Sequence, residues 1–176
     1  AQIGKLDNFL SIQRKNHGLL KSILSSIPEV TFRKIHDVEG NSCSFLSWFL
    51  PDAQTTSSVV AELKSQNILA GNFYWFENNW HYIRKWDHLT NNGFLNNQSE
   101  QLQKQLKKYA ANPFSASDAI MSRCISTAIS LTWTEEQIKE KGEKIVAVIK
   151  KVLSPKSPEG DLTTESRSTF ASNLNH

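Results

Sequence analysis

The sequence predicts an α+β domain in which helices cover one face of a small, mainly antiparallel sheet. Three observations carry that prediction. Apolar residues recur at helical spacing near both ends of the 176-residue chain, short alternating or apolar runs lie between them, and Pro, Gly or polar clusters separate the runs. The resulting order is helix, strand, strand, helix, strand, helices, strand, helix, which suits layered α+β packing. No internal repeat is visible, and a chain of this length buries a core without metal or disulfide staples.

The opening AQIGKLDNFLSIQRKNHGLLKSIL sets Ile3, Leu6, Phe9, Leu10, Gln13, His17, Leu20 and Leu24 near a 3.6-residue period. Its first residues read as the interior of an element, which implies a helix cut at its front. Pro28 breaks the pattern, and Val30 to Ile35 alternates as a half-buried strand does. DVEGN turns the chain into the more apolar strand Ser42 to Leu50, stopped by Pro51. Thr55 or Thr56 is the expected cap of the next helix, whose Val59, Val60 and Leu63 share a face. Gly71 then leads into an aromatic stretch. Asn91 to Gln103 reads as a polar loop before the short basic helix EQLQKQLKKYA. A brief helix near Ser117, a strand from Ile125 to Leu131 and a long helix capped by Thr134 follow. That last helix has carboxylates in its first turn and lysines in its last, each opposing the helix dipole, with Ile138, Ile145, Val148, Ile149 and Val152 as its buried stripe. The domain is expected to span 1–153; from 154 to 176 large apolar groups are too few to offset ordering entropy, so a disordered tail is expected.

Composition narrows the function. With 20 basic and 17 acidic residues the formal charge is +3, too balanced for a phosphate-tracking surface, so no nucleic-acid partner is expected. Stacking of single-stranded nucleic acid beside Lys104, Lys107 and Lys108 is the weaker alternative. No apolar run has a bilayer-spanning length and no signal peptide opens the chain, which together predict a cytoplasmic protein without a membrane partner. Cys43 and Cys124 are far apart in apolar surroundings and read as reduced, buried thiols. His17, His36 and His88 have no companion at ligand spacing, so no metal is expected.

The stretch FYWFENNWHYIRKWDHL, Phe73 to Leu89, contains three of the 5 tryptophans. Phe73, Trp75, Tyr82, Ile83, Trp86 and Leu89 read as packing residues in the plainer account, because large rings mostly serve burial. The consecutive polar pair Asn78 and Asn79 must find hydrogen-bond partners or stay wet, as in a turn or a lined pocket. Rings covering an apolar face, amides exchanging hydrogen bonds with hydroxyls and an arginine gripping a carboxylate are what a sugar acid requires. The candidate substrate-binding set is therefore Tyr74, Trp75, Asn78, Asn79, Trp80, His81, Arg84 and Arg123. His81 moves a proton, hydrogen-bonds the sugar or is a satisfied structural histidine. Arg84 and Arg123 are the carboxylate candidates, with a surface salt bridge as the commoner fate of each. Glu77 either orients a pocket group or is an exposed turn residue.

Three segments, covering about residues 1 to 153, resemble the C-terminal small domain of the DegT/DnrJ/EryC1/StrS family of sugar aminotransferases. Gln2, Ile3, Leu6, Asp7, Arg14 and Lys15 fill the pattern of that family's interdomain helix. ILAGNFYWFENNWHY occupies the place of a loop that closes over the sugar, with Tyr74, Trp75 and Phe76 where H-Y-P is usual. Ser126, Thr134, Glu135, Glu136 and Ile138 match the closing strand and helix, and Ala128 or Ile129 stands where the family has proline. The string N-N-W-H-Y-I-R-x-W-x-H-L is most similar to the branch aminating eight-carbon 3-deoxy-octulosonate sugars.

The resemblance implies an enzyme part. In such a protein pyridoxal 5'-phosphate carries an amino group from glutamate to a keto sugar, usually for surface polysaccharides such as lipopolysaccharide, or for antibiotics, in a homodimer. The Schiff-base lysine, the acid opposite the pyridine nitrogen and the phosphate-binding groups come from an N-terminal large domain. No catalytic residue is assigned within this chain, which is expected to be inactive alone. The alternative is a stand-alone carbohydrate-binding module without catalysis.

Overall fold

The computed structural model describes residues 3–68, 71–77, 82, 86, 99–111 and 114–154. The expected tail, apart from Ser154, lies outside them. After a 3-10 turn at Ile3–Lys5, the elements are α1 (Leu6–Leu24), β1 (Thr31–Phe32), β2 (Phe45–Phe49), α2 (Ala53–Ser65), β3 (Asn72–Tyr74), α3 (Glu100–Ala111), α4 (Ser115–Met121), β4 (Cys124–Ala128) and α5 (Glu135–Leu153). A second 3-10 turn, Trp75–Glu77, follows β3.

The four strands form one antiparallel sheet in the order β1-β2-β4-β3. Because β4 lies between β2 and β3 and opposes both, β2 and β3 run parallel to each other, joined through α2. Register then sorts side chains by face, since successive residues of a strand point to opposite sides. Phe32, Trp48, Ile125 and Tyr74 align across the sheet on one side, as do Leu46, Thr127 and Asn72. These meet Leu20, Leu24, Val59, Leu63, Ile145 and Ile149 of the helices in a single core. Helix α5 packs on both α1 and α2, so all three cover that side. Each aliphatic side chain buried here contributes about 1.5–3 kcal/mol.

The polar side chains that β2, β3 and β4 turn toward the helices are matched. The Trp48 indole N–H donates to Thr127 Oγ1 at 3.1 Å, the Thr127 hydroxyl donates to Asn72 Oδ1, and the Asn72 amide donates to the Ile68 carbonyl at 3.1 Å. On α1, buried Asn16 donates to the Trp133 carbonyl at 3.2 Å and Gln13 to the Ile129 carbonyl at 3.5 Å. Both tie the helix to the β4–α5 loop.

Several local expectations need correction. Strand β1 is Thr31–Phe32, not Val30 to Ile35, because it is an edge strand and its pairing with β2 ends after the Arg33 N–H reaches the Ser47 carbonyl. Asp52, not Thr55 or Thr56, caps α2: its carboxylate accepts the Thr55 backbone N–H at 2.7 Å and the Thr55 hydroxyl at 2.8 Å, placing negative charge at the positive helix end. Strand β4 stops at Ala128, short of the expected Leu131, although the Ile129 N–H still reaches the Ser44 carbonyl. The polar segment before the basic helix ends earlier than expected, since α3 begins at Glu100 with the Ser99 hydroxyl accepting the Leu102 N–H; positions 91–98 are outside the described residues. The stripe of α1 also loses its burial toward the front, with Ile3 87% and Leu6 50% exposed.

Thr134 caps α5 as expected, in a reciprocal box with Gln137. Ile138, Ile145, Val148 and Ile149 of its stripe are buried, and Val152 is partly so. Gly71 has φ +76°, a left-handed conformation that suits glycine at the entry to β3. Cys43 and Cys124 are both free and buried.

Candidate functional site

The side of the sheet away from α1, α2 and α5 carries a row of rings. Register places Phe45 opposite Ala128, and Ser47, Ser126 and Phe73 in one line across β2, β4 and β3. Phe45 and Phe73 meet edge to face with centroids 5.8 Å apart, and Phe73 stacks on Trp75 at 6.3 Å with 29° between planes. Such offset contacts add to area burial because ring edges and faces carry opposite partial charge. Phe45 is 43% exposed, while Phe73 and Trp75 are half-buried.

Two hydroxyls lie against this row. The Trp75 indole N–H donates to Ser126 Oγ at 2.7 Å, and Ser126 Oγ is 2.6 Å from Ser47 Oγ. Ser126 is wholly buried, so this short chain satisfies it and fixes the plane of the indole. The arrangement presents apolar ring surface in a set orientation. Trp75 precedes by a few residues the segment that holds Asn78, Asn79, Trp80 and His81.

The sequence-derived candidates separate. Trp75 belongs to the ring row. Tyr74 points the other way: it is buried on the core side, its hydroxyl donates to the Ser122 carbonyl at 2.9 Å, and burial with the nearby Glu77 raises its pKa. The plainer reading is corrected at two of its residues by the same register, since Phe73 and Trp75 lie on the face away from the core while Tyr74, between them, is the core residue; Tyr82, also read as packing, is buried against Phe76, and Ile83 and Leu89 lie outside the described residues. The Arg123 guanidinium donates to the Ala119, Pro51 and Leu50 carbonyls at 3.1, 3.2 and 3.5 Å, bracing the start of β4. Glu77 is exposed in a 3.1 Å ion pair with Lys64. Asn78, Asn79, Trp80, His81 and Arg84 lie outside the described residues. Phe45, Ser47 and Ser126 had not been named as site residues, although serines at alternate positions within apolar strands mark a shared face.

Pyridoxal phosphate needs a lysine amine, an acid for its ring nitrogen and a phosphate cradle. Among the described residues, Lys15, Lys64, Lys139, Lys144 and Lys151 sit in surface ion pairs with glutamates. Lys141 lies over the Trp133 ring at 5.2 Å, and burial lowers its pKa. No lysine among them joins an acid and a phosphate cradle, so the described residues do not fit this cofactor by themselves. No group of three or more His, Cys, Asp or Glu among the described residues is placed to hold a metal ion, and no described helix is long and apolar enough to cross a membrane.

No family model matches the chain. A solved structure is similar in fold: the crystal structure of 3-amino-5-hydroxybenzoic acid (AHBA) synthase, with a TM-score of 0.51 and 17% identity over 86% of this chain. The match takes in 37% of the synthase, so the chain spans well under half of that protein's length.

Proposed function

We propose that this chain is the small-domain portion of a pyridoxal-phosphate aminotransferase passing an amino group from glutamate to a keto sugar acid of the 3-deoxy-octulosonate type. The observation that carries the reading is the row Phe45, Phe73 and Trp75 on the sheet face opposite the helices, with the indole pinned by Ser126. Ring faces in a set orientation cover the apolar side of a sugar; the amides of Asn78 and Asn79 and the guanidinium of Arg84 are the polar complement in the adjoining sequence. The likeness in fold to a synthase named for an amino-bearing product supports the same class.

In this reading the bound cofactor supplies the amino-transfer chemistry from a large domain. This chain contributes substrate shape and closure, and the assembled protein is a homodimer. Trp75→Ala in the intact protein is expected to lower kcat/KM for the keto sugar about tenfold, equivalent to about 1.4 kcal/mol of lost transition-state binding. Trp75→Phe should retain more activity. Glutamate-dependent amination that is unchanged in both variants removes the ring row from the site. Calorimetric binding of the sugar acid by the isolated chain, with no amination when a large domain is present, would favour a carbohydrate-binding module instead.

A further inference from the structure

The sheet face away from the helices holds a charge as well as rings. Phe32 of β1 packs against the core, so Arg33, the next residue, turns to the other face, and the 3.2 Å bond from its backbone N–H to the Ser47 carbonyl keeps it in register with β2. Arg33, Ser47, Ser126 and Phe73 therefore stand in one line across the sheet. Phe45 and Phe49 flank Ser47 on the same face of β2, and Trp75 stacks on Phe73 at the far end of the line. The Cys124 thiol, two residues from Ser126 on that face, feels the Arg33 charge, which offsets part of the rise that burial gives its pKa. Because β1 is the edge of the sheet, the same charge also reaches His17, where it is the least of the influences that lower the imidazole pKa.

Arg14, Arg33 and Arg123 are the arginines among the described residues, and two of them are committed. Arg123 braces carbonyls at the start of β4, and Arg14 donates to the Glu39 carbonyl. Arg33 is exposed, and its side chain makes no hydrogen bond or ion pair with another described residue. No Asp or Glu lies on any of the four strands to neutralise it. A guanidinium beside a floor of rings is the complement of a molecule that has a carboxylate at one end and an apolar face beside it.

We propose that Arg33 grips the carboxylate of a sugar acid lying across this face, and so selects an acid over a neutral sugar. This role rests on the ring row being the sugar site, and it falls to a residue other than Arg84 and Arg123, the carboxylate candidates of the sequence. The planar fork of a guanidinium meets both carboxylate oxygens with parallel bonds, which an ammonium does not. Neighbouring strands lie about 4.8 Å apart, which puts the backbones of Arg33 and Phe73 about 14 Å from each other across three strand spacings. An extended arginine side chain and an eight-carbon ligand together span that gap, with the carboxylate toward β1 and the sugar ring toward Phe73 and Trp75.

Calorimetry on the intact protein tests this with 3-deoxy-octulosonate and its C1 carboxamide, which keeps the shape without the charge. The parent protein is expected to bind the acid more tightly than the amide. Arg33→Met should weaken binding of the acid about tenfold and leave the amide unchanged, in keeping with the loss of a charge-assisted contact, whereas Arg33→Lys should retain part of the preference. Trp75→Ala should weaken both ligands alike. If Arg33→Met weakens both ligands equally, or neither, while Trp75→Ala weakens both, the role of Arg33 is overturned and the ring row stands as the sugar site. Binding that neither Arg33→Met nor Trp75→Ala alters, or no binding of either ligand by the parent protein, overturns both readings. The Arg33 side chain is exposed, and an unchanged circular dichroism melt confirms that its variants remain folded.

Discussion

Gly142 of α5 faces Ile23 of α1 so closely that a Cβ at 142 would stand 2.9 Å from Ile23 Cγ2 and 3.0 Å from Ile23 Cδ1. Absence of a side chain at 142 is what lets the two helices approach. Gly142→Ala should therefore destabilise the fold by about 1–3 kcal/mol through overpacking, despite alanine's better helix propensity. Gly18 is the control, because a Cβ there meets nothing within 4 Å. Gly18→Ala should stabilise by about 0.5–1 kcal/mol. Chemical denaturation of the two variants showing the same sign would contradict this account of the α1–α5 contact.

The Trp48–Thr127–Asn72 chain gives a second prediction. Thr127 is wholly buried and serves both neighbours through one hydroxyl. Thr127→Val keeps the shape but strands an indole N–H and an amide oxygen, at a cost of about 1–3 kcal/mol for each group left unsatisfied. Thr127→Ser should recover much of the loss. Equal midpoints for the Val variant and the parent would show that the chain adds nothing to stability.

A pH dependence follows from His17. Burial foremost, then Lys21 and Arg33, holds its folded pKa below the ordinary 6.5. Between the two values the unfolded chain binds more protons than the folded one, so stability is present above 6.5 and is lost as pH falls through the folded pKa. The carboxylates of Asp52, Glu62, Glu135, Glu136 and Glu140 are also lowered, but from 3.8–4.5, so their contributions are lost at more acidic pH. Thermal melts should show midpoints declining below about pH 6.5, with a shallower decline for His17→Gln. An identical slope in the variant would assign the dependence to other groups.

Thiol chemistry supplies a fourth. Burial pushes the Cys124 thiol up to about 11, leaving scarcely any thiolate near neutral pH. Native protein should react slowly with an aromatic disulfide reagent, and both thiols should react promptly once the chain is unfolded. Fast labelling of Cys124 in the folded protein would contradict its placement on β4.

The Thr134 capping box is testable by Thr134→Ala, which should lower stability by about 1 kcal/mol. Restoration by Thr134→Ser would assign the effect to the hydroxyl.

Local chemistry was legible wherever one residue type has one strong local use. The α5 stripe with its Thr134 cap and the Val59, Val60 and Leu63 face of α2 follow from periodicity and side-chain oxygens. The α+β class followed from the order of such segments. Tertiary contacts decided the rest. Residues 73–75 alternate on either reading, and which ring turns inward depended on the register that pairs Tyr74 with Ile125 and Phe73 with Ser126, which no local pattern encodes. Likewise the indole of Trp75 meets a serine fifty-one positions away, and Lys21 meets Phe32 across a helix–strand seam. A sequence specifies each residue's own propensities; which distant groups become neighbours is settled when the sheet closes and the helices dock on it.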